Sequence, residues 1–167
     1  MRVLVVIAAS ILGLVVAPAL GGAGTSTLVI LDYPYGRQCP AAGFAEQGDR
    51  WNMNTCNCTS YVAWALAANG RRVDWFRLGE MDAHNWPRVA AEAGFGEGTA
   101  ARVAAVAVWP HLSRPWGHVA FVTAVHPDGS FDVAEYNLRR RFRFDARSHV
   151  SPVGVTFIYV PPRSPHR

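Results

Sequence analysis

Lysine is missing from this chain: all sixteen basic residues are arginine. Its absence excludes a lysine Schiff base and a P-loop phosphate site, which both need an ammonium on a flexible stem. The bias itself reads first as the codon usage of a GC-rich genome. Charge of either sign is scarce, at 17% of residues. A net charge of +4 and a pI near 9.3 are too weakly basic to imply a nucleic-acid partner. Cysteine is limited to Cys39, Cys56 and Cys58. After the N-terminal segment no apolar run approaches the ~20 residues needed to cross a bilayer. What is present is ample apolar material. Half of the 167 residues are hydrophobic, enough for one domain with a packed core and too many for wholesale disorder.

The N-terminus reads as a targeting signal. Arg2 precedes an apolar run from Val3 to Val16, followed by Ala17-Pro18-Ala19 and a Gly-rich stretch from Gly21 to Gly24. A positive start, an apolar middle and a small-x-small end mark a secretory signal peptide over residues 1–23, cut after Ala19 or Ala23. Val3 to Leu20 is just long enough to remain as an uncleaved anchor, which leaves that alternative open. The mature protein is expected to be secreted, soluble, off the membrane once the signal is cut, and monomeric. Export permits a disulfide. Cys39 and Cys56 are the expected pair: Cys58 has another use, and two residues apart at a helix start Cys56 and Cys58 diverge. One thiol is left over, and that is the first functional hint.

Residues 25–50 carry Gly and Pro punctuation and read as an extended arm with turns. Residues 57–69 read as a helix. Asn57 and Thr59 offer start chemistry, Tyr61, Val62, Ala65 and Leu66 fall at helical spacing, and Asn69-Gly70 is a stop. A second helix is expected from Asn85 through Ala93, with Pro87 in its first turn. Strands are expected at Val103–Trp109, Val119–Val125, Phe131–Asn137, Arg141–Phe144 and Val153–Val160. Helices followed by a meander of strands predict an α+β domain with an antiparallel sheet.

The chemistry gathers on few residues. Cys58 falls in the first turn of the predicted helix, where unpaired N–H groups and the helix dipole favour an anion. Thiols in such places ionise below their usual range and become nucleophiles. His118 opens an apolar strand. Glu135 and Asn137 are two apart on the next strand and share a face. If the turn near Pro127-Asp128-Gly129 has two residues, His118 faces Asn137 or Arg139, and Glu135 faces Ala120 or Val122. Either register puts His118, Glu135 and Asn137 on one side of the sheet, whereas a three-residue loop breaks the agreement. A helix start packed on that side would assemble a cysteine, a histidine and an orienting polar group, as in a cysteine amidohydrolase.

Several stretches then run in a familiar order. They are Asp32-Tyr33-Pro34-Tyr35, Asn57-Cys58-Thr59-Ser60-Tyr61-Val62-Ala63-Trp64, Asn85-Trp86, Ala105-Val106-Ala107-Val108-Trp109, Gly117-His118-Val119-Ala120-Phe121-Val122 and Glu135-Tyr136-Asn137. With them the chain resembles the CHAP family of cysteine- and histidine-dependent amidohydrolases and peptidases. The resemblance implies a papain-like α+β fold over residues 24–163, with N-terminal helices on an antiparallel sheet and a short tail at 164–167. It also implies cleavage of amide bonds in peptidoglycan. It carries over Cys58 as nucleophile, His118 as base, and Glu135 and Asn137 as polar partners. The sequence departs from the pattern at Ala104, where the family often has Gly, and at Ala65, where Arg is common.

Remaining expectations concern the groove. Trp51, Trp86 and Trp116 fall in or near loops and are candidates for stacking on substrate; Trp64 and Trp109 read as core. The backbone N–H of Cys58 is the expected oxyanion donor. No acidic cluster like the calcium loop of some relatives is evident, so neither metal nor cofactor is expected. A zinc site joining Cys56 and Cys58 to His84 or His111 has weak spacing support. The arginine run Arg139 to Arg143 reads as a solvated strand edge, where charge discourages edge pairing. No wall-targeting module follows in the sequence, so substrate choice is expected to rest on the groove. The competing readings are a non-catalytic wall-binding module and an exported antibacterial toxin of the same fold.

Overall fold

A computed structural model describes residues 27–39, 45–77 and 82–164. The expected signal segment and the end of the tail lie outside the described residues. Among these residues no helix is long and apolar enough to cross a membrane.

Two short strands, β1 (Ala45–Gly48) and β2 (Asn54–Thr55), pair antiparallel and lead into helix α1 (Cys58–Ala68). Asn57 caps α1 with extended backbone, and its side chain accepts a hydrogen bond from the Cys58 N–H. Asn69 and Gly70 close it, Gly70 in the left-handed region and Arg71 N–H returning to the Leu66 carbonyl. The helix is apolar on nearly every side and buried from Cys58 through Ala63, as expected of a helix enclosed by the domain. One turn of 3-10 helix (Ala83–Asn85) then runs into α2 (Trp86–Glu92), with Pro87 in the first turn where its missing N–H costs nothing.

The remaining strands are β3 (Gly96–Gly98), β4 (Val106–Trp109), β5 (His118–Val125), β6 (Phe131–Tyr136), β7 (Phe144–Val150) and β8 (Thr156–Tyr159). They form one antiparallel sheet in the order β3-β8-β4-β5-β6-β7. The α+β architecture is the one expected. Alternate residues serve two cores. Val119, Phe121, Ala134 and Tyr136 pack with α1, while Ala120, Val122, Phe131 and Val133 pack with Phe157 on the other side.

Three strand boundaries differ from expectation. β4 begins at Val106 because Ala104, in the family's glycine position, takes a left-handed backbone at φ 63°, and a bulge sets it and Ala105 against Val122. Residues 137–143 form the β6–β7 connection, with the Arg143 N–H bonded to the Arg140 carbonyl, so the arginine run is a turn and not a strand edge. β8 starts only after the turn at Val153-Gly154.

The N-terminal arm is tied down at Val29 and Ile30, which bond to Asn69 and Tyr61 of the helix and its end, and again at Tyr33 and Cys39. Tyr33 lies buried among Tyr61, Trp64 and Tyr136, its hydroxyl bonded to Ser60 and accepting from the Cys56 N–H. Burial pushes its pKa up to about 12, so it stays neutral. The expected disulfide joins Cys39 to Cys56, with Cα atoms 5.4 Å apart. Closing this short loop restricts the unfolded chain. The Cys39→Ala/Cys56→Ala variant is expected to lose ~3 kcal/mol of stability, read from the urea unfolding midpoint in the absence of reductant.

Candidate active site

The register of β5 against β6 decides the site. The turn is a three-residue loop: His126 and Ser130 close it, and Gly129 takes the left-handed backbone that ends it. Such a loop alone would have put His118 and Glu135 on opposite faces. A bulge between Val122 and Ala124 inserts the compensating residue, and beyond it Phe121 faces Ala134 and Val122 faces Val133. Carried two steps on, that register sets Ala120 opposite Glu135. His118 and Glu135 share one side after all, for a reason the turn arithmetic does not contain.

The helix does not lie on that side. The body of α1 packs against the face bearing Val119 and Phe121. Its first residue meets His118 at the end of the strand. His118 Nε2 bonds Glu135 Oε2 at 3.0 Å, which leaves Nδ1 for Cys58, a group close enough for its charge to act on the imidazole. His118, Glu135 and Cys58 are all buried, Glu135 with no exposed surface.

Burial alone would strip the proton from His118. The negative charge and hydrogen bond of Cys58, joined by those of Glu135, outweigh it and raise the imidazole to about 9. Burial likewise works against the Glu135 charge, and hydrogen bonds and positive charge from His118 and Arg147 hold the carboxyl below its ordinary value. The arrangement therefore favours imidazolium at neutral pH.

Arg147 was not anticipated. Its Nε and Nη2 both donate to Glu135 at 2.7 Å, one to each oxygen. Its guanidinium lies 4.8 Å over the Trp109 ring, which in turn is 6.0 Å from that of His118. A fork of this kind fixes both carboxylate oxygens and turns one of them toward the imidazole.

Asn137 takes a different place from the one expected. It sits in the left-handed region, donates from Nδ2 to Asn57 Oδ1 at 3.2 Å, and accepts from the Phe142 N–H. It thus steadies the cap of α1, and Glu135 and Arg147 hold the imidazole. The Cys58 N–H, the expected oxyanion donor, is engaged by Asn57 Oδ1 at 2.8 Å, so it serves an oxyanion only once Asn57 gives way.

A cleft of about 500 Å³ opens over Cys58 and His118. Four asparagines line it, Asn52, Asn54, Asn57 and Asn137, together with Thr59, Asp82, Ser113 and Trp116. Asp49 shapes the first wall by accepting from the N–H groups of Trp51 and Met53. Gly117 shapes the other. A Cβ there would come within 2.6 Å of the His84 backbone nitrogen, and only glycine lets the loop carrying Trp116 approach so closely.

The three tryptophans separate. Trp116 is 60% exposed at the mouth of the cleft. Trp86 is wholly buried against Trp75 and Phe76 and offers no face to a ligand there, a correction that follows from its place in the first turn of an inward-packed helix. Trp51 packs partly on the core beside Arg50, next to the wall rather than on it. The zinc alternative is set aside because Cys56 is consumed by the disulfide.

A family model described as the CHAP domain matches residues 48–137, from the wall of the cleft to Asn137. The chain belongs to the CHAP domain family. An N-acetylmuramoyl-L-alanine amidase from Staphylococcus aureus matches in structure with a TM-score of 0.56 and 26% identity over 63% of this chain. The match spans 30% of that amidase, so the CHAP chain described here corresponds to a part of it. The structure of Ly7917 matches at 19% identity over 63% of this chain and 53% of the other, with a TM-score of 0.43, too distant to argue from. No curated protein matches in sequence.

Arg147→Met leaves the buried Glu135 charge without its two-bonded partner, and a loss of ~3 kcal/mol is expected. Glu135 adds stability above its unfolded value, and that stability is lost as pH falls through the lowered folded value. Removing Arg147 raises the folded value, so acid unfolding of the variant should begin at a higher pH. Thermal melts across pH 3 to pH 7 check both points; a melting profile that coincides with that of the native chain would remove Arg147 from this account.

Proposed function

We propose that this CHAP domain hydrolyses an amide bond of peptidoglycan outside the cytoplasm, with Cys58 as nucleophile. The observation that carries the reading is the buried Cys58–His118–Glu135 relay at the floor of an open cleft. The family match and the likeness to an amidase support it. The N-terminal apolar segment and the disulfide support export.

In the reaction, Cys58 Sγ attacks the amide carbonyl carbon and forms a tetrahedral oxyanion. His118 gives its Nδ1 proton to the leaving nitrogen as the C–N bond breaks, which leaves an acyl thioester and a free amine. Neutral His118 then takes a proton from water. The hydroxide attacks the thioester, and the acid leaves as the thiolate–imidazolium pair re-forms. Glu135 keeps the ring oriented throughout and stabilises its charged form. The amide-rich walls suit a ligand built of peptide and N-acetyl groups, and Trp116 offers a flat face for a sugar or peptide. The bond between muramic acid and the stem peptide is the first to test, a bond within the peptide the second. An intact relay favours catalysis over a purely wall-binding role.

Cys58→Ala should abolish release of new amine termini from purified sacculi, read by mass spectrometry of the digest; persisting cleavage would exclude this nucleophile. Protonated His118 is needed to expel the amine, so the rate should fall as pH rises through about 9. Glu135→Gln removes two of the influences that raise His118 and leaves the Arg147 cation unopposed nearby. The alkaline limb of its pH–rate profile should therefore move to lower pH, whereas an unmoved limb would separate Glu135 from the imidazole. Trp116→Ala is expected to raise KM with kcat little changed, as measured on soluble muropeptides.

A further inference from the structure

We propose that His126, Asp132 and His149 form a binding site for a divalent transition-metal cation of the zinc class, separate from the catalytic cleft. The three residues come from different elements: the start of the β5–β6 loop, β6 and β7. One ligand atom of each lies within 4.8 Å of the other two. His126 Nε2 is 2.7 Å from Asp132 Oδ1, and that same oxygen accepts from the His149 backbone N–H at 2.9 Å. The carboxylate is thus held in place, with Oδ2 engaged in neither bond. The two imidazoles lie parallel, 4.0 Å apart. All three side chains reach solvent, so an ion has a route in.

Two features set this cluster apart from a chance surface group. His149 holds a left-handed backbone at φ 53°, uncommon outside glycine though histidine adopts it more readily than most residues. The β6–β7 register shifts between Phe131 and Val133, so that Ser148 and His149 together stand opposite Asp132. Such local strain marks places where side-chain position matters more than regular pairing.

Two imidazoles and one carboxylate are the nitrogen and oxygen set that zinc accepts, with a fourth position left for water. Calcium and magnesium prefer oxygen alone. Zinc brings its donors to about 3.3 Å of one another, so the exposed His149 ring must close by on the order of an ångström. Asp128, in the adjoining loop, lies within electrostatic reach of both rings and adds negative charge beside the site. His126 and His118 are at opposite ends of β5, roughly 25 Å apart along an eight-residue strand. A bound ion would clamp the β5–β6 hairpin to β7, which is the edge of the sheet.

The test uses tag-free protein carrying Cys58→Ala, which removes the thiolate–imidazole pair as a competing zinc ligand. Zinc chloride alone is titrated by calorimetry and by thermal melting. One equivalent should bind, and melting should rise by ~5 °C when free ion exceeds Kd about a hundredfold. Calcium and magnesium should give no rise. His126→Gln and His149→Asn, the second chosen because asparagine tolerates the left-handed backbone, should each lose the zinc-dependent rise. The rise is scored against the same variant without metal, so a change in basal stability does not enter. No zinc binding, or zinc binding kept in both variants and therefore adventitious at histidines such as His84 or His111, overturns the proposal.

Discussion

A carboxylate with no exposed surface is the constraint around which this domain is arranged. Taking Glu135 out of water costs several kcal/mol, and it stays ionised only because His118 and Arg147 both donate to it. Each partner is itself placed by a different strand, β5 and β7, while Glu135 sits on β6 between them. The three central-to-edge strands are thereby locked in register by charge as well as by backbone pairing. The same contact bears on the chemistry: with Cys58, a carboxylate that cannot leave its imidazole keeps that imidazole charged.

Much of this was legible in the sequence, for physical reasons that can be named. Cys58 stood out because an N-cap asparagine, a helical apolar pattern and an asparagine–glycine stop bracket it. His118 and Glu135 stood out because polar residues in otherwise apolar strands need partners. Their common side was deduced from a turn of the wrong length. The conclusion survived because the bulge at Thr123 cancels the extra loop residue, and nothing in His126-Pro127-Asp128-Gly129 announces a bulge four residues upstream.

Arg147 was hidden for a related reason. It lies twelve residues beyond Glu135, past the turn holding the arginine run, in a strand that had not been recognised. Phe144–Val150 lacks a clean apolar alternation because it is the edge strand, with Arg147 turned inward and its neighbours outward. Several arginines nearby made any one of them unremarkable by composition. Trp86 failed in the opposite sense. An aromatic at the start of a short helix looks exposed from sequence, yet Trp75 and Phe76 arrive from a preceding turn to bury it. The His126–Asp132–His149 cluster has no sequence signature at all, since His149 meets Asp132 only through the β6–β7 bulge.

The three cysteines pose a chemical problem that the backbone answers. A free cysteine two residues from a disulfide is well placed in sequence to attack it and scramble the pair. Cys56 takes a left-handed backbone at φ 65°, and Asn57 then turns extended before the helix begins. That reversal points the Cys56 sulfur back toward Cys39 and the arm, while Cys58 starts α1 facing His118. Both sulfurs are buried and each has its own partner. The oxidised bond anchors the residue just ahead of the cap, and the cap orients the reduced one. Asn137, reaching from the end of β6 to Asn57, joins that cap to the sheet. The position of Cys58 thus depends on a disulfide on one side and on an amide bridge on the other.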